Sequence, residues 1–243
     1  MRDYLNKTIE DCRLLVEKIK FDKSHPWHKY IVSFYGSILE LSKVILVLYD
    51  ARSPIGIAII LRTLLEAYAD FKNLCNDPTY GNYLELNNIC EELKLYDEAK
   101  IGGNPYLEGV VNIQGRDEHL QKLRKRKELL KGKGFKKLKI FEKFQKAQLL
   151  NEYRSIYILF SSETHNNLSA LDLRHMSIDE NSMDYDMHIF KPINPDEMSH
   201  LLTTTVGILV DSTEAIHTIL RSSNMDRALK LKSNYLKKVN NKK

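Results

Sequence analysis

Apolar residues recur at helical spacing along almost the whole chain, and no stretch alternates convincingly with a period of two. This constrains the fold more than any motif, because residues spaced for one face of a helix do not share one face of a strand. The ten glycines and six prolines among 243 residues are few. Leu, Ile, Lys and Glu are abundant instead, and most of these are good helix formers. We therefore expect an all-α fold, a single helical-bundle domain over residues 1–243 with seven to eight helices and no sheet. A 43% hydrophobic content is enough for a core.

The boundaries follow from local signals. Residues 4–20 form an amphipathic first helix with Leu5, Ile9, Cys12, Leu15, Val16 and Ile19 on its buried side. A second helix runs from Trp27 to Tyr49. "DARSPIG" ends it and starts a third, with Ser53 at the cap and Pro54 at the first helical position. The third helix, to Cys75, is apolar over most of its circumference and belongs at the centre. A fourth follows to Lys100, then a glycine-containing loop. One long helix is expected from Phe144 to Leu171, then an irregular segment at 174–194. Asn194, Pro195, Asp196 and Glu197 start a last long helix to Arg221, followed by a basic tail at 224–243.

The apolar run Tyr30–Tyr49 is interrupted by Glu40 and Lys43, so no membrane span is expected. Cys12, Cys75 and Cys90 form no CxxC pair, and an odd number argues against a disulfide framework. The expected location is cytoplasmic. The net charge of +5 is uneven: residues 122–146 hold twelve Lys/Arg against two Asp/Glu, and the remainder is acidic. Such a basic insertion is suited to phosphates, so RNA is an expected partner, with Lys125, Arg126, Lys136 and Lys137 as contacts. An ordinary solvated helix pair accounts for the same charge.

Two groups of polar residues sit where apolar ones belong. In "IGIAIILRTLLEAYADF", Arg62 and Glu66 are spaced i, i+4 on the central helix, which brings their side chains together. In "NEYRSIYILFSSETHNN", Tyr153, Tyr157, Ser161 and His165 recur every fourth residue. On a regular helical wheel Tyr153 and Tyr157 fall in the apolar stripe, while Ser161 and His165 drift to its margin. Tyrosines are then packing residues, and His165 faces a cleft or is an ordinary half-exposed histidine. Asp172, His175, Asp184, Asp186 and His188 could surround a divalent ion. Without paired cysteines or HExxH, no metal or cofactor is expected.

The pairing of R-x-x-x-E (Arg62, Glu66) with Y-x-x-x-S-x-x-x-H (Tyr157, Ser161, His165) resembles an uncharacterised family of bacterial all-helical domains, over residues 27–170. Proteins of that kind often lie near mobile defence genes. More distantly, the layout is similar to the HEPN ribonucleases of toxin and abortive-infection systems, which cleave RNA without metal through R-x4-6-H at a dimer interface. No Arg here precedes a His at that spacing. The resemblance implies a metal-independent ribonuclease acting in defence or as a toxin, with a homodimer or a controlling partner protein. His165 would be the acid or base, Arg62 the phosphate ligand held by Glu66, and Ser161 and Tyr157 orienting groups. The alternative expectation is a non-catalytic binding or regulatory module in which Arg62, Glu66 and His165 form a structural polar network.

Overall fold

The computed structural model describes residues 1–17, 19–178, 184–189 and 195–241. Helices α1 (Arg2–Val16), α2 (Pro26–Asp50), α3 (Pro54–Asn76) and α11 (Pro195–Ile219) make the central bundle. Pro54 takes the first turn of α3, as expected, and Ser53 is its N-cap residue, although no side-chain bond forms there. Buried residues on α3 point in almost every direction, from Ile57, Leu61 and Leu64 to Ala69, Phe71 and Leu74. The helix is central because it has almost no polar side to turn outward. By length and composition α2 could cross a bilayer. Here its Ile31, Tyr35, Ile38, Ile45 and Leu46 are buried in the common core.

A short 3-10 turn, Pro78–Tyr80, leads into α4 (Gly81–Ile101). After the brief α5 (Glu108–Val111), α6 (Arg116–Gly132) returns along α4. These two helices close over a small second core of Leu86, Ile89, Leu93 and Leu130, edged by Leu120, Leu123 and Phe135. The basic segment is thus packed onto the acidic side of α4 rather than standing free.

Several expectations are corrected. The single helix over 144–171 is broken. α7 (Ile140–Lys146) ends where Gln148 takes a left-handed φ of 59°. The chain resumes as α8 (Leu150–Glu152), a π-helical turn (Tyr153–Tyr157) and α9 (Ile158–Thr164). It breaks again where Asn166 has φ 49° and Asn167 caps α10 (Leu168–His175) by accepting from the Ser169 amide. Consecutive asparagines tolerate this better than most residues, being at home in left-handed backbone and in caps. The helical segments therefore outnumber the seven to eight expected.

A sheet is also present. Strands β1 (Met176–Ile178) and β2 (Tyr185–Met187) pair antiparallel, with Met176 opposite Met187. The basic tail is not a tail either. Residues Met225–Asn240 form α12, which sets Ala228 into the protein and lays Leu231 and Tyr235 against the main core. Asn194 lies outside the described residues.

Candidate functional site

Arg62 and Glu66 occupy successive turns of α3, and the turn of chain before α9 brings Tyr157 over them. The Arg62 Nη2 donates to the Tyr157 hydroxyl at 3.1 Å and lies 3.0 Å from Glu66 Oε1. The Tyr157 hydroxyl donates in turn to the same Glu66 oxygen at 2.8 Å. The three groups close a triangle of hydrogen bonds. Tyr157 is only 4% exposed, and its ring also receives the Arg62 guanidinium 5.3 Å from its centroid. Burial, then the hydrogen bond to Glu66, pushes the phenol up to about 12. At neutral pH it is therefore a neutral donor, not a base. One guanidinium nitrogen, Arg62 Nε, is buried without a hydrogen-bond partner among the described residues.

Both tyrosines lie on the π-turn. Tyr153 and Tyr157, four residues apart across this turn, stack their rings at 5.3 Å and 18°. Phe144 of α7 packs against both, at 5.4 and 4.8 Å. The tyrosines pack one over the other on the apolar stripe, as expected.

Ser161 and His165 follow one and two turns further on. Ser161 is half-buried and His165 is exposed at the C-cap of α9, where its amide donates to the Ser161 carbonyl at 3.1 Å. No hydrogen bond or ion pair among the described residues joins His165 to Arg62 or Glu66. At ~1.5 Å per residue, His165 stands about 12 Å along the axis from Tyr157. Arg62, Glu66 and Tyr157 are brought together, and His165 is not brought to them. Two shallow surface hollows lie elsewhere, along α12 by Leu229 and Leu236, and beside Asn112–Glu118.

A second polar group on α3 went unnoticed in the sequence. Asp70, one turn past Glu66, is buried and accepts from the Tyr80 hydroxyl at 2.5 Å and from Lys143 Nζ at 2.8 Å. Asn73 adds a bond from its side-chain amide to the Lys143 carbonyl at 2.9 Å. The signal was available: Arg62, Glu66 and Asp70 repeat every fourth residue in an otherwise apolar helix. This group clamps α7 to α3 and so carries Phe144 to the tyrosines. On the opposite side Tyr68 donates to Asp211 at 2.6 Å, and Lys232 of α12 binds both Asp211 and Glu214.

Most of the proposed RNA contacts are already engaged. Arg126 makes a bidentate pair with Glu85 at 2.7 and 2.6 Å, Lys137 pairs with Glu91, and Lys136 reaches Glu142 at 2.5 Å. Lys125, with Lys122 and Lys133, is exposed and has no ion pair among the described residues. The loop residues weighed for a metal do not converge: among the described residues no three His, Cys, Asp or Glu come together. His175 and His188 instead tie the ends of the hairpin, and Ser177 Oγ lies 2.6 Å from His188 Nε2.

Arg62, Glu66, Tyr157, Ser161 and His165 all fall within residues 28–184, the stretch matched by the family of unknown function DUF5677. The chain belongs to that family. No curated protein and no solved structure matches it.

Proposed function

We propose that this protein is a non-catalytic helical binding module that regulates a partner, and that Arg62, Glu66 and Tyr157 are its internal fastening. The closed triangle supports this reading. The Tyr157 hydroxyl donates to Glu66 and accepts from Arg62, Arg62 and Glu66 also face each other, and His165 is outside the group. The guanidinium nitrogen that makes these bonds, Arg62 Nη2, is held inward against Glu66 and Tyr157 rather than toward a phosphate. Contact with RNA falls instead to the unpaired lysines of α6, Lys122 and Lys125, whose strength depends on salt.

A metal-independent ribonuclease is the second reading, and two observations favour it. Arg62 Nε has no partner, and the His165 imidazole is open to solvent one turn from Ser161. For both to act on one phosphate, Arg62 must leave Glu66 and swing toward His165.

Incubating the full chain with RNA, alongside His165→Ala and Arg62→Ala, separates the two. The module reading expects intact RNA with all three proteins, and a lowered melting temperature for Arg62→Ala alone. RNA cleavage by the parent that disappears in a well-folded His165→Ala overturns it in favour of the ribonuclease.

A further inference from the structure

Helix α12 carries two sets of apolar residues, and only one of them is packed on the core. Ala228, Leu231 and Tyr235 seat the helix against the bundle. The Tyr235 hydroxyl donates to the Thr203 carbonyl at 3.2 Å. It lies so close to α11 that a Cβ at Gly207 would come within 2.8 Å of it. Lys232 fastens the same turns by binding Asp211 and Glu214. The helix is therefore held in one rotation about its axis, and the residues it turns outward are fixed.

At about 100° per residue, Met225, Leu229 and Leu236 fall within about 40° of one another on the outward side. They are 38%, 41% and 48% exposed. Leu229 and Leu236 line one shallow hollow together with Ser233, Lys237 and Asn240, so they share a surface. From Leu229 to Asn240 it runs about 17 Å along the helix, three turns. Lys230 and Lys237 stand about 110° further round, exposed and without an ion pair among the described residues. Residues 227–243 hold seven Lys/Arg and no Asp/Glu. On α6, by contrast, Arg126 finds Glu85 of α4 opposite it.

We infer that this face of α12 is the docking surface for an acidic amphipathic helix of a partner protein. Charge complementarity selects the occupant: the face offers unburied Leu and Met beside lysines that no carboxylate of this chain neutralises. A helix with an apolar stripe between carboxylates satisfies both, placing its stripe along Leu229 and Leu236 and its acids against Lys230 and Lys237. Nucleic acid would meet the lysines and leave the leucines in water. A flat anionic bilayer would leave the hollow unfilled, whereas a helix laid alongside α12 sets its side chains into it. The inference rests on the binding-module reading and adds the chemistry of the partner. The two fail separately, since RNA cleavage overturns that reading and peptide binding alone decides this one.

The test is fluorescence anisotropy of the full chain with a labelled synthetic peptide of about 18 residues, long enough to span the hollow. It carries leucines at heptad a and d spacing and glutamates at most other positions. Two controls replace its glutamates with lysines or its leucines with serines. The acidic peptide should bind about tenfold or more tightly than either control. Leu229→Glu combined with Leu236→Glu should weaken it by about tenfold or more, with helical circular dichroism and melting temperature unchanged. Lys230→Glu combined with Lys237→Glu should reverse the preference toward the lysine peptide, and decides the matter if the leucine variant misfolds. Equal binding of the acidic and lysine peptides by the parent overturns the inference, as does unchanged affinity in folded forms of both variants. Failure to bind the acidic peptide, with an RNA oligonucleotide or phosphatidylserine vesicles bound and then lost in the leucine variant, overturns it in favour of that ligand.

Discussion

Replacing Tyr157 with Phe removes one oxygen and leaves everything else in place, so it measures what the triangle contributes. The ring keeps its stack on Tyr153, its contact with Phe144 and the guanidinium above it. Two hydrogen bonds go: the 2.8 Å donation to Glu66 and the 3.1 Å acceptance from Arg62. Each involves a charged partner, worth about 1.5–3 kcal/mol when counted alone. Arg62 and Glu66 still have each other at 3.0 Å, however, and Glu66 is partly open to water. The net loss should therefore be about 2 kcal/mol, which for a chain of this size lowers the melting temperature by roughly 4–8 °C. Tyr157→Ala also removes the ring and should cost about 3–5 kcal/mol, as other large-to-small core changes do. Calorimetry on the three proteins gives the comparison. If Tyr157→Phe melts within a degree of the parent, the triangle does not hold α9 on α3.

Lys143→Ala should destabilise by about 3–5 kcal/mol in chemical denaturation, because it strands the buried Asp70 carboxylate with only Tyr80. Lys125→Ala combined with Lys122→Ala should weaken RNA binding and flatten its salt dependence, whereas Arg126→Ala should chiefly loosen α6 from α4. Stability should fall as pH drops below 6.5: burial lowers the fully enclosed His217 from that ordinary value, so the unfolded chain takes up a proton that the folded one does not. His217→Leu should make acid unfolding shallower over that range. At the alkaline end the sign is reversed. Burial raises Tyr157 to about 12, so its contribution is full below the free phenol's pKa near 10 and is lost on titration toward 12.

The long helices were legible because each carries a continuous apolar stripe ended by a residue with a clear local reason, such as Pro54 at the head of α3. The Arg62–Glu66 pair was legible for the same reason, as two charges one turn apart where apolar groups were due. The partner was misassigned because a tyrosine in the apolar stripe was taken as packing alone, although its hydroxyl can reach a charged pair on the facing helix. The left-handed Gln148 ahead of α8 and the π-turn at Tyr153–Tyr157 interrupt the single regular helix on which the wheel was drawn. Tyr157 lies in the apolar stripe and His165 at its margin, as the wheel has them, but it is the Tyr157 hydroxyl that meets Arg62 and Glu66. The hairpin escaped notice because three-residue strands are too short to show a period. The basic segment was read correctly as charge but not as already paired, since the acids that bind Arg126 and Lys137 lie some forty residues earlier on α4. Sequence proximity does not reveal such pairings.

The account rests on Arg62, Glu66 and Tyr157 acting as one closed unit, and a double-mutant cycle between Glu66→Gln and Tyr157→Phe tests that most directly. Unfolding free energies of the parent, both single variants and the double variant isolate the coupling between the two side chains. A closed network predicts that the double variant loses less than the sum of the singles, with a coupling of about 1 kcal/mol or more. Losses that add to within about 0.3 kcal/mol would mean that the two groups stabilise the protein independently, contradicting the account.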